Sequence, residues 1–134
     1  MSAGSPRNGW RCSVKLDTNI TDLKKQLFRI YLDIMKDMYG YGTVEIKIQL
    51  NDDMIIFFAK SNRTPALKAI EEHYPEIKRM TDYALFSEFK TRLKKSLSEK
   101  LGIEALAMLR DYDPAYQVGV TVVILEENWL KNLA

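Results

Sequence analysis

The chain has 134 residues, 46% of them apolar and 28% charged, with a net charge of +2 from 20 basic and 18 acidic side chains. That length suits one domain with a core large enough to need no metal or disulfide staple, and the composition is globular, neither disordered nor membrane-embedded. The near balance of charge argues against a dedicated nucleic-acid binder, which needs a basic excess on one face.

The lone Cys12 and lone His73 cannot by themselves make a disulfide or a zinc site. A single cysteine points to a reducing compartment, and so to the cytoplasm. No apolar run reaches the roughly 18 residues of a membrane span. Residues 1–16 are small, polar and basic and lack the apolar core of a signal peptide, so they read as a disordered leader or arm ahead of a single domain over 17–134.

Asp17, Thr18 and Asn19 offer N-cap chemistry. Ile20, Leu23, Leu27, Ile30, Ile34 and Met38 then recur at three- and four-residue steps, the stripe of an amphipathic helix that Gly40 and Gly42 terminate. From Thr43 to Leu50 the pattern alternates, with Val44, Ile46, Ile48 and Leu50 on one side and Glu45, Lys47 and Gln49 on the other. This is a strand with one wet face. Asn51-Asp52-Asp53 is a turn. Met54–Ala59 is apolar throughout, as in a strand covered on both faces, and the two strands form a hairpin.

Thr64-Pro65 opens a short helix limited by Pro75. Thr81 or Asp82 caps a longer one, whose stripe is Phe86, Phe89, Leu93, Leu97 and Leu101 and whose end is Gly102. Ile103–Arg110 is assigned to a strand, Asp111-Tyr112-Asp113-Pro114 to a turn, and the following segment to a last strand. That strand has Val118, Val120, Val122 and Ile124 on one face and Gly119, Thr121, Val123 and Leu125 on the other. Residues 128–134 make a final helical turn in which Trp129, Leu130 and Leu133 pack back.

The order is α-β-β-α-α-β-β. Each half is a helix ending in glycine followed by a hairpin, a repeat of pattern with little residue identity. The fold class is α+β: a two-layer arrangement in which a four-stranded, mostly antiparallel sheet carries its helices on one face. The second and fourth strands are apolar on both faces, so something must cover the other side. Self-association is the commonest solution, and a homodimer is expected, with Ile55, Phe57, Val123 and Leu125 as its interface residues.

Motifs for chemistry are sparse. His73 lies beside Glu71, Glu72 and Glu76 and reads more simply as a solvent-facing histidine than as a base. The Asp52-Asp53 and Asp111–Asp113 acids are ordinary turn residues, since calcium-loop spacing is absent. Tyr39-Gly40-Tyr41-Gly42 runs from helix to strand, the reverse of a phosphate loop. Ser61-Asn62-Arg63-Thr64-Pro65 opens a helix after a strand, so Arg63 and Thr64 are the candidate anion site, with an ordinary capped turn as the plainer reading. Lys90, Arg92, Lys94, Lys95 and Lys100 are interleaved with Glu88 and Glu99, as on a solvated helical face. The aromatics lack the spacing of an RNA-stacking sheet. No catalytic residue, metal site or cofactor is assigned.

Four stretches together carry a family resemblance: Tyr39-Gly40-Tyr41-Gly42-Thr43, Asn51-Asp52-Asp53-Met54-Ile55-Ile56, Arg63-Thr64-Pro65-Ala66-Leu67 and Leu101-Gly102-Ile103. Over about residues 20–126 the layout resembles the MpsC type of small bacterial proteins, named after a membrane-potential-generating system. Thr43 stands where that family tends to have proline, and Tyr41 where it often has arginine. The resemblance implies a soluble accessory protein linked to bicarbonate or cation transport, with a membrane transporter or other protein as partner. It brings no catalytic residues. The leading expectation is a non-enzymatic dimeric binding or regulatory module. The alternative is a small-ligand-binding protein or enzyme with a pocket between helices and sheet, using Arg63, His73 or Asp111–Asp113.

Overall fold

A computed structural model describes residues 13–40, 45–62 and 64–133. The elements are α1 (Ser13–Tyr39), β1 (Glu45–Leu50), β2 (Met54–Lys60), α2 (Pro65–His73), α3 (Pro75–Leu101), β3 (Ala107–Asp113), β4 (Val118–Ile124) and α4 (Trp129–Leu133). The sheet is antiparallel throughout, in the order β1-β2-β4-β3. The expected α-β-β-α-α-β-β order and four-stranded α+β architecture are therefore found. The apolar strands β2 and β4 lie at the centre, and the mixed strands β1 and β3 form the edges.

Helices cover one face. Leu27, Ile30, Tyr31, Ile34 and Met35 of α1 and Phe89, Leu93 and Leu97 of α3 are buried against Ile55, Phe57 and Ala59 of β2 and Val123 of β4. The period of 3.6 on the helices and of 2 on the strands produces this layering. Tyr31 lies at its middle, stacked on Phe57 (centroids 5.3 Å apart) and edge-on to Phe89 (5.1 Å). Such aromatic pairs add about 0.5–1.5 kcal/mol each beyond the area they bury.

Three boundaries differ from the sequence expectation. Helix α1 begins at Ser13, so Asp17, Thr18 and Asn19 lie within it and do not cap it. Helix α3 begins at Pro75, so Thr81 and Asp82 are interior; Asp82 instead accepts from Lys78 Nζ one turn back at 3.0 Å. Pro75 is favoured at a first helical turn, where its missing N–H costs nothing. Its predecessor Tyr74 closes α2 through Tyr74 N–H to the Ile70 carbonyl, which makes Tyr74 a one-residue joint between the helices. Strand β3 starts at Ala107 and runs through Asp113, so Asp111 and Asp113 are strand residues and the turn falls at 114–117.

The end of α3 is as expected. Gly102 adopts φ +68°, its N–H bonds the Ser98 carbonyl, and Ile103 N–H bonds the Leu97 carbonyl at 3.0 Å. The bond from Gly102 to Ser98 is that of the left-handed C-terminal cap, which favours glycine at this position. The C-terminal segment is fastened to the first hairpin. Leu125 N–H donates to the Asp53 carbonyl, Asn128 N–H to that of Asp52, and the Trp129 indole to that of Asn51 at 2.7 Å. Trp129 is buried and Leu130 packs against the core, as expected of these two; the side chain of Leu133 lies outside the described residues.

Candidate functional site

Two features distinguish this molecule from a plain two-layer domain: an aromatic-walled arginine beneath the helices and an apolar sheet face with no helix over it among the described residues.

The arginine follows from strand register. On β3, Met108, Arg110 and Tyr112 pair with Val123, Thr121 and Gly119, the inward residues of β4. Arg110 is thus carried under the helices. Its Nη1 donates to Thr121 Oγ1 at 2.6 Å and to the Tyr31 hydroxyl at 3.1 Å, and its Nη2 reaches Met35 Sδ at 3.8 Å. The guanidinium carbon sits 3.9 Å from the Phe89 ring centre, with the Phe86 ring at 5.7 Å. A cation over an aromatic face gains roughly 0.5–2 kcal/mol. Arg110 Nε is buried and has no acceptor. All the acceptors around the cation are neutral, and among the described residues no carboxylate forms an ion pair with it.

Beside Arg110 a cleft holds about 20 Å³ of water-accessible space, walled by Met35, Tyr39, Leu67, Phe86 and Tyr112 with Ser61 and Asn62 at the loop side. The Tyr112 hydroxyl donates to the Ser61 carbonyl at 2.7 Å and holds the loop after β2 against β3.

The open face is built from the alternate residues of the same strands. Ile56 and Phe58 of β2 and Val120 and Val122 of β4 point away from the helices, with Leu109 of β3 beside them, 62% exposed. One row across the sheet reads Lys47, Phe58, Val120, Asp111, and the next reads Glu45, Lys60, Val118, Asp113. Lys47 Nζ lies 5.8 Å from the Phe58 ring centre and 3.8 Å from Glu45. The β1–β2 side therefore carries Glu45, Lys47 and Lys60, and the β3 side carries Asp111 and Asp113.

The residues named from sequence fall as follows. Ile55, Phe57, Val123 and Leu125, expected at an interface, are no more than 3% exposed and belong to the core. The strands' period of 2 places their neighbours Ile56, Phe58, Val122 and Ile124, all half-buried, on the opposite face instead. Thr64 is the N-cap of α2, its Oγ1 accepting from Leu67 N–H at 3.3 Å; Arg63 lies outside the described residues. His73 is exposed at the end of α2, 3.6 Å from Glu72. Asp111 and Asp113 face the open side of the sheet. None of His73, Asp111 or Asp113 lines the Arg110 cleft. Arg92 pairs with Glu88 at 2.7 Å, as on a solvated helical face. Among the described residues, no group of three His, Cys, Asp or Glu side chains is placed to hold a metal, and no helix is long and apolar enough to cross a membrane.

Arg110 was not singled out by sequence reasoning, because the strand was assigned to end there. The available signal was Thr121, a small polar residue on the buried face of an otherwise apolar strand, which calls for a partner across the ladder.

The family model described as "Na+-translocating membrane potential-generating system (MpsC)" matches residues 19–127, from within α1 to beyond β4. No curated protein and no solved structure matches the chain. With most of its length covered by that one model, including both helix-plus-hairpin halves, the chain belongs to the MpsC family.

Proposed function

We propose that this protein is a non-enzymatic accessory module of an ion-transport system, acting in the cytoplasm as a homodimer joined through the open face of its sheet. The observation that carries the reading is that face: a contiguous apolar surface on the two central strands, over which no helix among the described residues packs. Apolar patches of this kind usually mark an interface. The description of the family, which names Na+ translocation and membrane potential, supplies the transport context.

The Lys47 and Asp111 row and the apolar centre support a second copy as the occupant. A two-fold axis parallel to the strands, passing between β2 and β4, superposes β1 on β3 of the second copy and β2 on its β4. Lys47 then opposes Asp111 of the second copy and Phe58 opposes Val120; in the next row Glu45 faces Asp113 of the second copy, with Lys60 one strand away from that carboxylate. An isologous contact of this kind is self-complementary and closes at two subunits. Two sheets stacked in this way lie about 10 Å apart with their side chains interdigitated.

Sedimentation velocity over a range of concentrations tests the reading. The wild-type chain should sediment with twice its 15.5 kDa mass, and Val120→Lys should sediment as a folded monomer. A wild-type protein that remains at 15.5 kDa at every concentration contradicts the dimer.

A further inference from the structure

We infer that the cleft beside Arg110 is a binding site for a small carboxylate, a ligand class that neither the family description nor the dimer requires. A guanidinium has five N–H donors. In Arg110, Nη1 uses two on Tyr31 and Thr121, Nη2 directs one at the weak acceptor Met35 Sδ, and Nε has no acceptor. One Nη2 N–H therefore remains for a ligand, and the positive charge has no counter-charge among the described residues.

A cation removed from water without an anion is costly, and such groups are normally paired. The aromatic rings of Phe89 and Phe86 offset part of that cost but supply no hydrogen-bond acceptor in the ring plane. The cleft is where the missing partner fits. Ser61 and Asn62 stand at its loop side, and neither side chain makes a hydrogen bond among the described residues, so both have donors to offer. Three residues with donors to offer border one space, and no carboxylate among the described residues lines it.

Size and shape select the class. About 20 Å³ of accessible space admits a group of one or a few atoms at its deepest point, which excludes a nucleotide or sugar there. A carboxylate is planar and matches the edge of a guanidinium, and its two oxygens can be shared between Arg110 and the Ser61-Asn62 loop. The apolar walls from Met35, Leu67 and Phe86 favour a short aliphatic remainder on the ligand.

The test is NMR titration of uniformly ¹⁵N-labelled protein with sodium acetate, with sodium phosphate and sodium chloride as separate arms at constant ionic strength. Acetate should move the Arg110 Nε–H resonance and the Ser61 and Asn62 amides along one saturable curve, with a Kd on the order of 1 mM. Arg110→Lys, which keeps the charge and loses the fork, should weaken acetate about tenfold, and chloride should give only small unsaturated shifts. The wild-type titration alone decides the matter if the variant does not fold. Saturation by phosphate but not acetate, or no saturable movement of the Arg110 resonance with any of the three salts, overturns the assignment.

Discussion

Arg110 and Thr121 are direct cross-strand partners on the inward face of β3 and β4, and Arg110 Nη1 donates to Thr121 Oγ1 at 2.6 Å. Thr121 is fully buried. Each residue gives the other a reason to be polar inside an apolar layer, so their energies are coupled. Thr121→Val keeps the volume but strips an acceptor from a half-buried cation, and should cost about 1–3 kcal/mol. In an Arg110→Met background the same change should cost far less, because no cation is left to satisfy. Urea denaturation of the four proteins measures this, and equal costs in the two backgrounds would contradict it.

Trp129 should act as a clasp between the C-terminal segment and the first hairpin. Its indole is buried and bonds the Asn51 carbonyl at 2.7 Å. Trp129→Ala removes the ring and the bond together and should cost about 3–5 kcal/mol. Trp129→Phe retains most of the packing and should lose nearer 0.5–1.5 kcal/mol, the usual net worth of one hydrogen bond. Circular dichroism during chemical unfolding distinguishes the two.

At Gly102 the backbone alone should set the cost of substitution. A methyl group added there meets nothing within 4 Å, yet φ is +68°. Gly102→Ala should therefore destabilise by about 1–2 kcal/mol through the left-handed conformation. Asn, which tolerates that region better, should cost less than Ala. Thermal unfolding of the two variants gives the ranking.

Charge exchange on the open face should be reciprocal. If Lys47 opposes Asp111 of the second copy, Lys47→Glu and Asp111→Lys should each weaken dimerisation several-fold, since an exposed pair contributes about 0.2–1 kcal/mol and the two-fold repeats it. The double variant should regain most of the affinity. Sedimentation equilibrium gives the three constants, and additive losses in the double variant would rule out this arrangement of the two copies.

Much of this fold was legible because the periodic signals were strong. The α1 stripe, the alternation in β1 and the two-faced apolar runs of β2 and β4 each specify an element and its burial. Gly102 and the Thr64-Pro65 pair mark ends that the structure places as expected. Boundaries failed where two signals competed. Thr81 and Asp82 resemble a cap, but Pro75 starts the helix earlier. Asp111 and Asp113 resemble a turn, but their outward positions in the β3–β4 ladder accommodate charge. The site was less legible for a related reason. Sequence shows that β2 and β4 have two apolar faces but not which one the helices take, so Ile55 and Phe57 were exchanged for their neighbours Ile56 and Phe58. The Arg110 cleft joins residues from α1, the loop after β2, α2, α3 and β3, and no local pattern announces such a meeting.

The most direct test of the account is an isotope-filtered NOE experiment on an equimolar mixture of ¹³C,¹⁵N-labelled and unlabelled chains. Intermolecular contacts should connect the Val120 and Val122 methyl groups of one copy to the Phe58 ring of the other. Absence of any intermolecular contact, or contacts confined to helix residues while the open face remains in water, would contradict the claim that this face is where the protein meets its partner.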